Sequence, residues 1–185
     1  ECPVDLELVG RQSIEAEQAV LGGLLIASEA WEEVADRLSE TDFYRYDHGL
    51  IFRALAALSA RNSPCDVVTV SQWLGSCGLL DEVGGMVYLA SLARETPSAA
   101  NIRAYADIVR ERAILRELIK TTNEVNALCY RPEGRTVHEV LEKAESSIFS
   151  IAEQGAREQQ GFRGLSEFIK QAGEKIETLY ERKGQ

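Results

Sequence analysis

Between Ser98 and Tyr130 the apolar residues fall on two helical rows, and a helix with two apolar rows has to be covered twice. Ile102, Ala106, Val109 and Ala113 step by four, three and four positions, and Leu115, Leu118, Thr122, Val125 and Cys129 by three, four, three and four. Each row has the spacing of one face of an α-helix, but the two do not share a stripe. One face can pack on the chain's own core; the other needs a second surface. Pro97 and Ser98 give the start signal. If all helical, this stretch spans roughly 50 Å, longer than a small domain needs internally. Proline and glycine in Tyr130-Arg131-Pro132-Glu133-Gly134-Arg135 stop it. Thr136-Val137-His138-Glu139 then fits a capping box, and Val137, Leu141, Ala144, Ile148 and Ile151 follow as a two-heptad seam. The prediction is a projecting helical hairpin over residues 98–152, whose outer seam pairs with another chain.

The rest of the chain reads as an all-α protein: a compact helical bundle over 1–97, the hairpin, a flexible linker over 153–164, and a separate C-terminal linker helix over 165–182. Ser13 is predicted to cap a first helix after an irregular lead-in from Val4 to Gln12, with Glu15 and Glu17 in its first turn, where the helix dipole favours negative charge. Gly22-Gly23 inside that helix costs roughly 1–2 kcal/mol against alanine, which points to a close helix approach. Ser28 starts a second helix with Trp31, Val34, Ala35 and Leu38 inward, and Thr41-Asp42-Phe43-Tyr44 breaks it and offers two aromatics to the core. Asp47 is the expected cap of a third helix with the stripe Leu50, Ile51, Ala54, Leu55 and Leu58. Asp66 is the expected cap of a fourth, since Val67, Val70, Trp73 and Leu74 keep the longer period despite a strand-favouring run. A connection from Gly75 to Gly85 leads to a short helix bearing Val87, Tyr88, Leu89 and Leu92. At the far end, Leu165, Phe168, Ile169, Ala172, Ile176 and Leu179 make an amphipathic stripe with no partner in the chain. An isolated helix of that length is marginal in water, so its face is expected to dock on another molecule or another domain.

Composition narrows the function. The chain of 185 residues has a net charge of −10 and is 45% hydrophobic. Residues 1–97 hold sixteen acidic and six basic side chains, so the first part alone carries the whole net charge. Such a surface repels phosphate backbones and suits basic protein partners. The longest apolar run, Ala19 to Ala27, is too short to cross a bilayer. Glu1-Cys2-Pro3-Val4-Asp5 lacks a basic n-region, so no signal peptide is expected, and the missing initial methionine points to a trimmed chain. Cys2, Cys65, Cys77 and Cys129 form no Cys-x-x-Cys pair, and His48 and His138 are far apart in sequence. Reduced cytosolic cysteines and no metal site are therefore expected.

No phosphate loop is present, since Gly-Lys occurs nowhere, and there is no Gly-x-Ser-x-Gly or His-Glu-x-x-His motif. His48 and His138 read as surface or capping residues. Arg112, Arg116 and Lys120 form a basic ladder on the long helix. It reads either as a solvated face paired with Glu111, Glu117 and Glu124 or as a site for an acidic partner. On residues alone this is an interaction module rather than a catalyst. A second reading makes it a free-standing helical adaptor or DNA-binding regulator. In it, Asp66 to Leu80 forms a helix-turn-helix with Ser71 to Leu74 entering a groove, which the acidic charge disfavours.

Several ordered segments carry a family resemblance. Ser13-Ile14-Glu15-Ala16-Glu17-Gln18-Ala19-Val20-Leu21-Gly22 resembles the opening signature of bacterial replicative DNA helicases of the DnaB type. Asp42-Phe43-Tyr44, Ile51-Phe52, Asp66-Val67-Val68-Thr69, Gly84-Gly85, Tyr88-Leu89, Pro97-Ser98-Ala99-Ala100-Asn101 and Tyr105-Ala106-Asp107-Ile108-Val109-Arg110-Glu111 follow in the family's order. The resemblance implies a non-catalytic amino-terminal collar plus linker helix of a hexameric, cytoplasmic, nucleoid-associated helicase. No cofactor is implied here; ATP and Mg belong to a following RecA-like domain. The implied partners are further copies of the chain (as a trimer of dimers), primase, a helicase loader, and DNA through the parent ring. Hairpin packing and subunit pairing are expected at Leu115, Leu118, Val125, Leu141, Ile148 and Ile151. Primase contact is expected at Glu15, Tyr88 and Ile119. Linker-helix docking is expected at Leu165, Phe168, Ile169, Ile176 and Leu179.

Overall fold

The computed structural model describes residues 6–153, with side chains from Ile14 onward, and among the described residues it is all-α. The helices are α1 (Leu6–Ile26), α2 (Trp31–Val34), α3 (Tyr46–Ser59), α4 (Val67–Ser76), α5 (Gly85–Glu95) and α6 (Ile102–Tyr130). A seventh, α7, covers residues 137–153. Short 3-10 turns, Ser28–Ala30 and Glu40–Asp42, precede α2 and α3. The chain divides into two compact units, Glu1–Glu117 and Leu118–Gln185. The division falls inside α6, because Ile102, Ala106 and Val109 on its first turns are buried in the core of the first unit.

That core is assembled by α1 packing on α5 and α3, with α4 against α3 and α5. Leu21, Ile51, Leu55, Leu74 and Leu89 are fully buried; removing each such side chain from water contributes about 1.5–3 kcal/mol. Gly22 is where α1 meets α5. A Cβ there would sit 2.0 Å from Thr96 Oγ1 and 2.4 Å from the Leu92 carbonyl oxygen, so the approach predicted from the doubled glycine is real and leaves room for hydrogen only. Asp66 caps α4 as expected, accepting from Val68 N at 2.9 Å and Thr69 N at 2.8 Å. These bonds hold its carboxyl below the usual range, the Thr69 backbone bond being the largest cause.

Several expectations are corrected. α1 begins at Leu6, not after Ser13, because Leu6, Val9, Ser13, Ala16 and Val20 continue one helical period through the supposed lead-in. Asp47 is not the cap of α3; its Oδ1 accepts from His48 N at 3.0 Å one residue into the helix. Ala35 is exposed, since α2 ends at Val34 and its short face buries only Ala30, Val34 and Leu38 around it. Tyr44 does not enter the core beside Phe43, and Val87 points away from it on α5. The long helix starts at Ile102 rather than Ser98, whose hydroxyl instead accepts from Ala100 N at 3.0 Å.

In the second unit the turn after α6 is made by Glu133 and Gly134, both left-handed with φ of 49° and 81°. The glycine adopts that conformation without strain. The predicted capping box starts α7: Thr136 N donates to Glu139 Oε2 at 2.6 Å, and Glu139 N donates to Thr136 Oγ1 at 3.3 Å. α6 and α7 lie side by side, since Glu124, Ala127 and Leu128 share a groove with Glu139, Glu142 and Lys143. Among the described residues no helix is long and apolar enough to cross a membrane.

Candidate functional site

The hairpin residues separate by exposure. Val125 and Leu128 on α6 and Val140, Ala144 and Ser147 on α7 are half-buried, and Thr121 and Ile151 are buried. Of the residues expected at the hairpin, Val125 and Ile151 are thus covered within the chain. Leu115, Leu118, Leu141 and Ile148 remain exposed, joined by Val137 and Phe149. Ala144, Leu141, Ile148 and Phe149 line an apolar groove along α7. The first apolar row of α6, Ile102, Ala106 and Val109, is buried, whereas the second row is split: Val125 is half-buried and Leu115, Leu118, Thr122 and Cys129 are exposed.

The first unit holds a site that no sequence motif announces. Glu17 and His48 are both fully buried, Glu17 Oε2 lying 2.7 Å from His48 Nδ1. His48 Nε2 lies 2.7 Å from Tyr88 Oη. The other carboxylate oxygen of Glu17 accepts from Tyr44 N at 2.6 Å, and Gln18 Nε2 donates to Tyr88 Oη at 3.4 Å. A carboxylate only accepts, so Nδ1 carries a proton towards Glu17. The line Glu17–His48–Tyr88 joins α1, α3 and α5 and ends at a half-buried tyrosine. The Arg45 guanidinium stands 5.6 Å above that tyrosine ring. A hydrogen bond to Asp47, ahead of the opposing effect of burial, holds Arg45 above its ordinary range.

His48 is therefore not the surface or capping residue expected, whereas His138 is exposed. Glu17 is not the dipole-complementing residue of a first turn that its sequence position predicts; it sits mid-helix and is buried. A sequence signal for both existed. Glu17 precedes Val20 and Leu21 by three and four positions, and His48 precedes Ile51 and Phe52 likewise. Each interrupts the core-facing stripe of its helix, where a polar residue has to find a partner.

Of the basic ladder Arg112, Arg116 and Lys120, Arg116 is structural, and so is Arg110 beside the ladder. Arg110 Nη1 donates to Asp42 Oδ1 at 2.6 Å. Arg116 Nη2 donates to the Asp42 carbonyl at 2.5 Å, with its guanidinium 5.6 Å from the Tyr44 ring centroid. Burial lowers the Arg116 pKa against the raising fields of Glu17 and Asp42. Arg112 is half-buried and Lys120 exposed. Glu15 is exposed, Tyr88 is half-buried beside Gln18, and Ile119 is half-buried in the second unit. Ser71 and Leu74, which a groove-reading helix would have to present, are buried in the bundle core, so α4 cannot serve as that recognition helix. Cys65 is buried, which pushes its thiol up, while Cys77 and Cys129 are exposed. Leu165, Phe168, Ile169, Ile176 and Leu179 lie outside the described residues.

Comparison with known proteins bears directly on this architecture. The family model described as "DnaB-like helicase N terminal domain" matches residues 9–111. The replicative DNA helicase DnaB of Haemophilus influenzae is 44% identical over 167 residues, covering 90% of this chain and 36% of that protein. The replicative DNA helicase DnaC of Bacillus subtilis is 39% identical over 173 residues, covering 94% of this chain and 37% of that protein. The crystal structure of the N-terminal domain of DnaB helicase from Mycobacterium tuberculosis has a TM-score of 0.72 at 40% identity, covering 74% of this chain and 96% of that one. The N-terminal domain of DnaB helicase from Helicobacter pylori, whose structure was described with its interactions with primase, has a TM-score of 0.59 at 25% identity. That match covers 70% of this chain and 100% of that one. The chain thus spans little more than a third of the length of these curated relatives.

Proposed function

We propose, because this chain belongs to the DnaB-like helicase N-terminal domain family, that it is the non-catalytic collar of a ring-shaped replicative helicase and the platform on which primase and a helicase loader dock. One observation carries the reading. With Thr121, Val125, Leu128 and Ile151 covered, the second unit still exposes Leu141, Ile148 and Phe149 along one apolar groove of α7, and an exposed apolar patch of this kind marks a protein–protein contact. A second copy presenting the same face covers it symmetrically, and repetition of paired subunits builds a trimer of dimers. The acidic bundle supports a basic protein partner, with Glu15, Tyr88 and Ile119 as the proposed primase contacts. The interactions with primase described for the Helicobacter pylori relative support primase as that partner. ATP and Mg, and the unwinding of DNA, belong in this reading to the part of the relatives that this chain does not span.

Sedimentation equilibrium tests the reading. The chain is expected to form dimers or larger species as its concentration rises through the micromolar range, and L141D/I148D is expected to stay monomeric with an unchanged helical spectrum. A wild-type chain that remains monomeric at hundreds of micromolar defeats the proposal.

A further inference from the structure

The line from Glu17 through His48 to Tyr88 runs from the bundle core to a half-buried phenol, and its middle member has one nitrogen still to be assigned. His48 is 0% exposed, and its Nδ1–H is held by Glu17 Oε2 at 2.7 Å. Its Nε2 faces Tyr88 Oη at 2.7 Å. Glu17 from α1, Tyr88 from α5, and Arg45 and Asp47 at the start of α3 surround the imidazole, Asp47 Oδ1 accepting from His48 N at 3.0 Å. Arg116 of α6 reaches the same cluster through its electrostatic coupling to Glu17. A buried imidazolium with no anion is costly. Here the Glu17 carboxylate lies against the ring, so a proton taken up at Nε2 completes a buried ion pair. Nε2 itself is out of reach of water, but Tyr88 can pass the proton: the phenol gives its own hydrogen to Nε2 and takes one from solvent on its outer side.

A phenol hydroxyl has one hydrogen and accepts through its lone pairs. While Nε2 is bare, that hydrogen points inward to it. Gln18 Nε2 donates into one lone pair at 3.4 Å, and the other lone pair is open to a partner. Once Nε2 carries a proton, it donates to Oη, Gln18 occupies the remaining lone pair, and the phenol hydrogen turns outward. We propose that His48 is a buried proton sensor that reverses the hydrogen-bonding polarity of Tyr88, which offers a partner an acceptor when Nε2 is bare and a donor when it is protonated. The consequence for docking rests on the docking reading proposed above; the sensor itself does not. A basic protein partner brings lysine and arginine, which donate and never accept. The acceptor form of Tyr88 holds such a side chain and the donor form opposes it, so acidification weakens docking.

Two measurements on the full chain decide this. Nitrogen-15 NMR of the His48 side chain, followed over the range in which imidazoles ordinarily titrate, about pH 8 to pH 5, is expected to show Nδ1 protonated throughout and Nε2 passing from bare to protonated. Affinity for primase is expected to fall at least about threefold over the same range. Tyr88→Phe, which keeps the ring and loses the hydroxyl, is expected to flatten that fall. His138→Gln, at the chain's other histidine, is expected to keep the wild-type profile. An Nε2 that stays bare or stays protonated across the range overturns the sensor, and so does a Tyr88→Phe chain with the wild-type pH profile. Nε2 titrating as expected with no primase bound at any pH upholds the sensor and defeats the docking reading instead.

Discussion

In the Glu1–Glu117 unit Val20, Leu21, Ile51, Leu55 and Leu89 are fully buried, and even a carboxylate and an imidazole are enclosed, whereas in the Leu118–Gln185 unit Leu141, Ile148 and Phe149 face outward. The bundle completes itself: each polar group it encloses at Glu17 and His48 meets a partner within the same unit. The hairpin is regular in its own geometry, with a capped helix and a glycine turn, yet holds apolar surface in reserve. If the exposed face pairs as proposed, the contrast teaches that stability and assembly are separable in this chain. Substitutions in one unit should be read by unfolding, and substitutions in the other by association.

The sharpest way to break that contrast is Glu17→Ala. Removing one member of a buried pair strands His48 Nδ1 and the Tyr44 amide, at a cost of about 3–5 kcal/mol. Urea unfolding should show it as a large fall in midpoint, and a loss under 1 kcal/mol would mean that the polar line is not what holds α1 to α3. A smaller effect is expected from Asp66, whose cap contributes about 1 kcal/mol. Its folded pKa lies below the unfolded value of about 3.9. The cap's contribution is therefore fully present above that value and is lost as pH falls through the folded one. Comparing Asp66→Ala with wild type from pH 6 down to pH 2 should show two stabilities that converge in acid; a constant difference would refute the charged cap. The smallest effect belongs to the hairpin. Phe149→Ser is expected to change unfolding free energy by no more than about 0.5 kcal/mol while weakening self-association, and a loss above 2 kcal/mol would place Phe149 in the chain's own core.

Local features were legible before the structure was known. Thr136 and Glu139, Asp66, and the pair Gly22-Gly23 each act through backbone groups a few residues away or through the absence of a side chain, and such signals survive in one dimension. The first apolar row on α6, Ile102, Ala106 and Val109, was legible because it is periodic. What could not be read was the joining of distant polar groups. Glu17 and His48 are thirty-one positions apart and Tyr88 is forty beyond His48, and nothing in the local sequence of any of them names the others. Ser13 failed as a start signal for a different reason: a hydroxyl residue also fits inside a helix, and the period running back to Leu6 outweighed it. Tyr44 and Val87 failed because an apolar residue beside a core segment is as free to face water as to leave it.

The placement of the cysteines has a practical consequence. Burial raises the Cys65 thiol and shields it, so it reacts slowly with alkylating reagents, while Cys77 in the first unit and Cys129 in the second stand open. Among the described residues each compact unit therefore brings its own native attachment point for a fluorophore. Energy transfer between dyes at these two thiols can follow bundle and hairpin when a proposed partner is added, with no engineered substitution among the described residues.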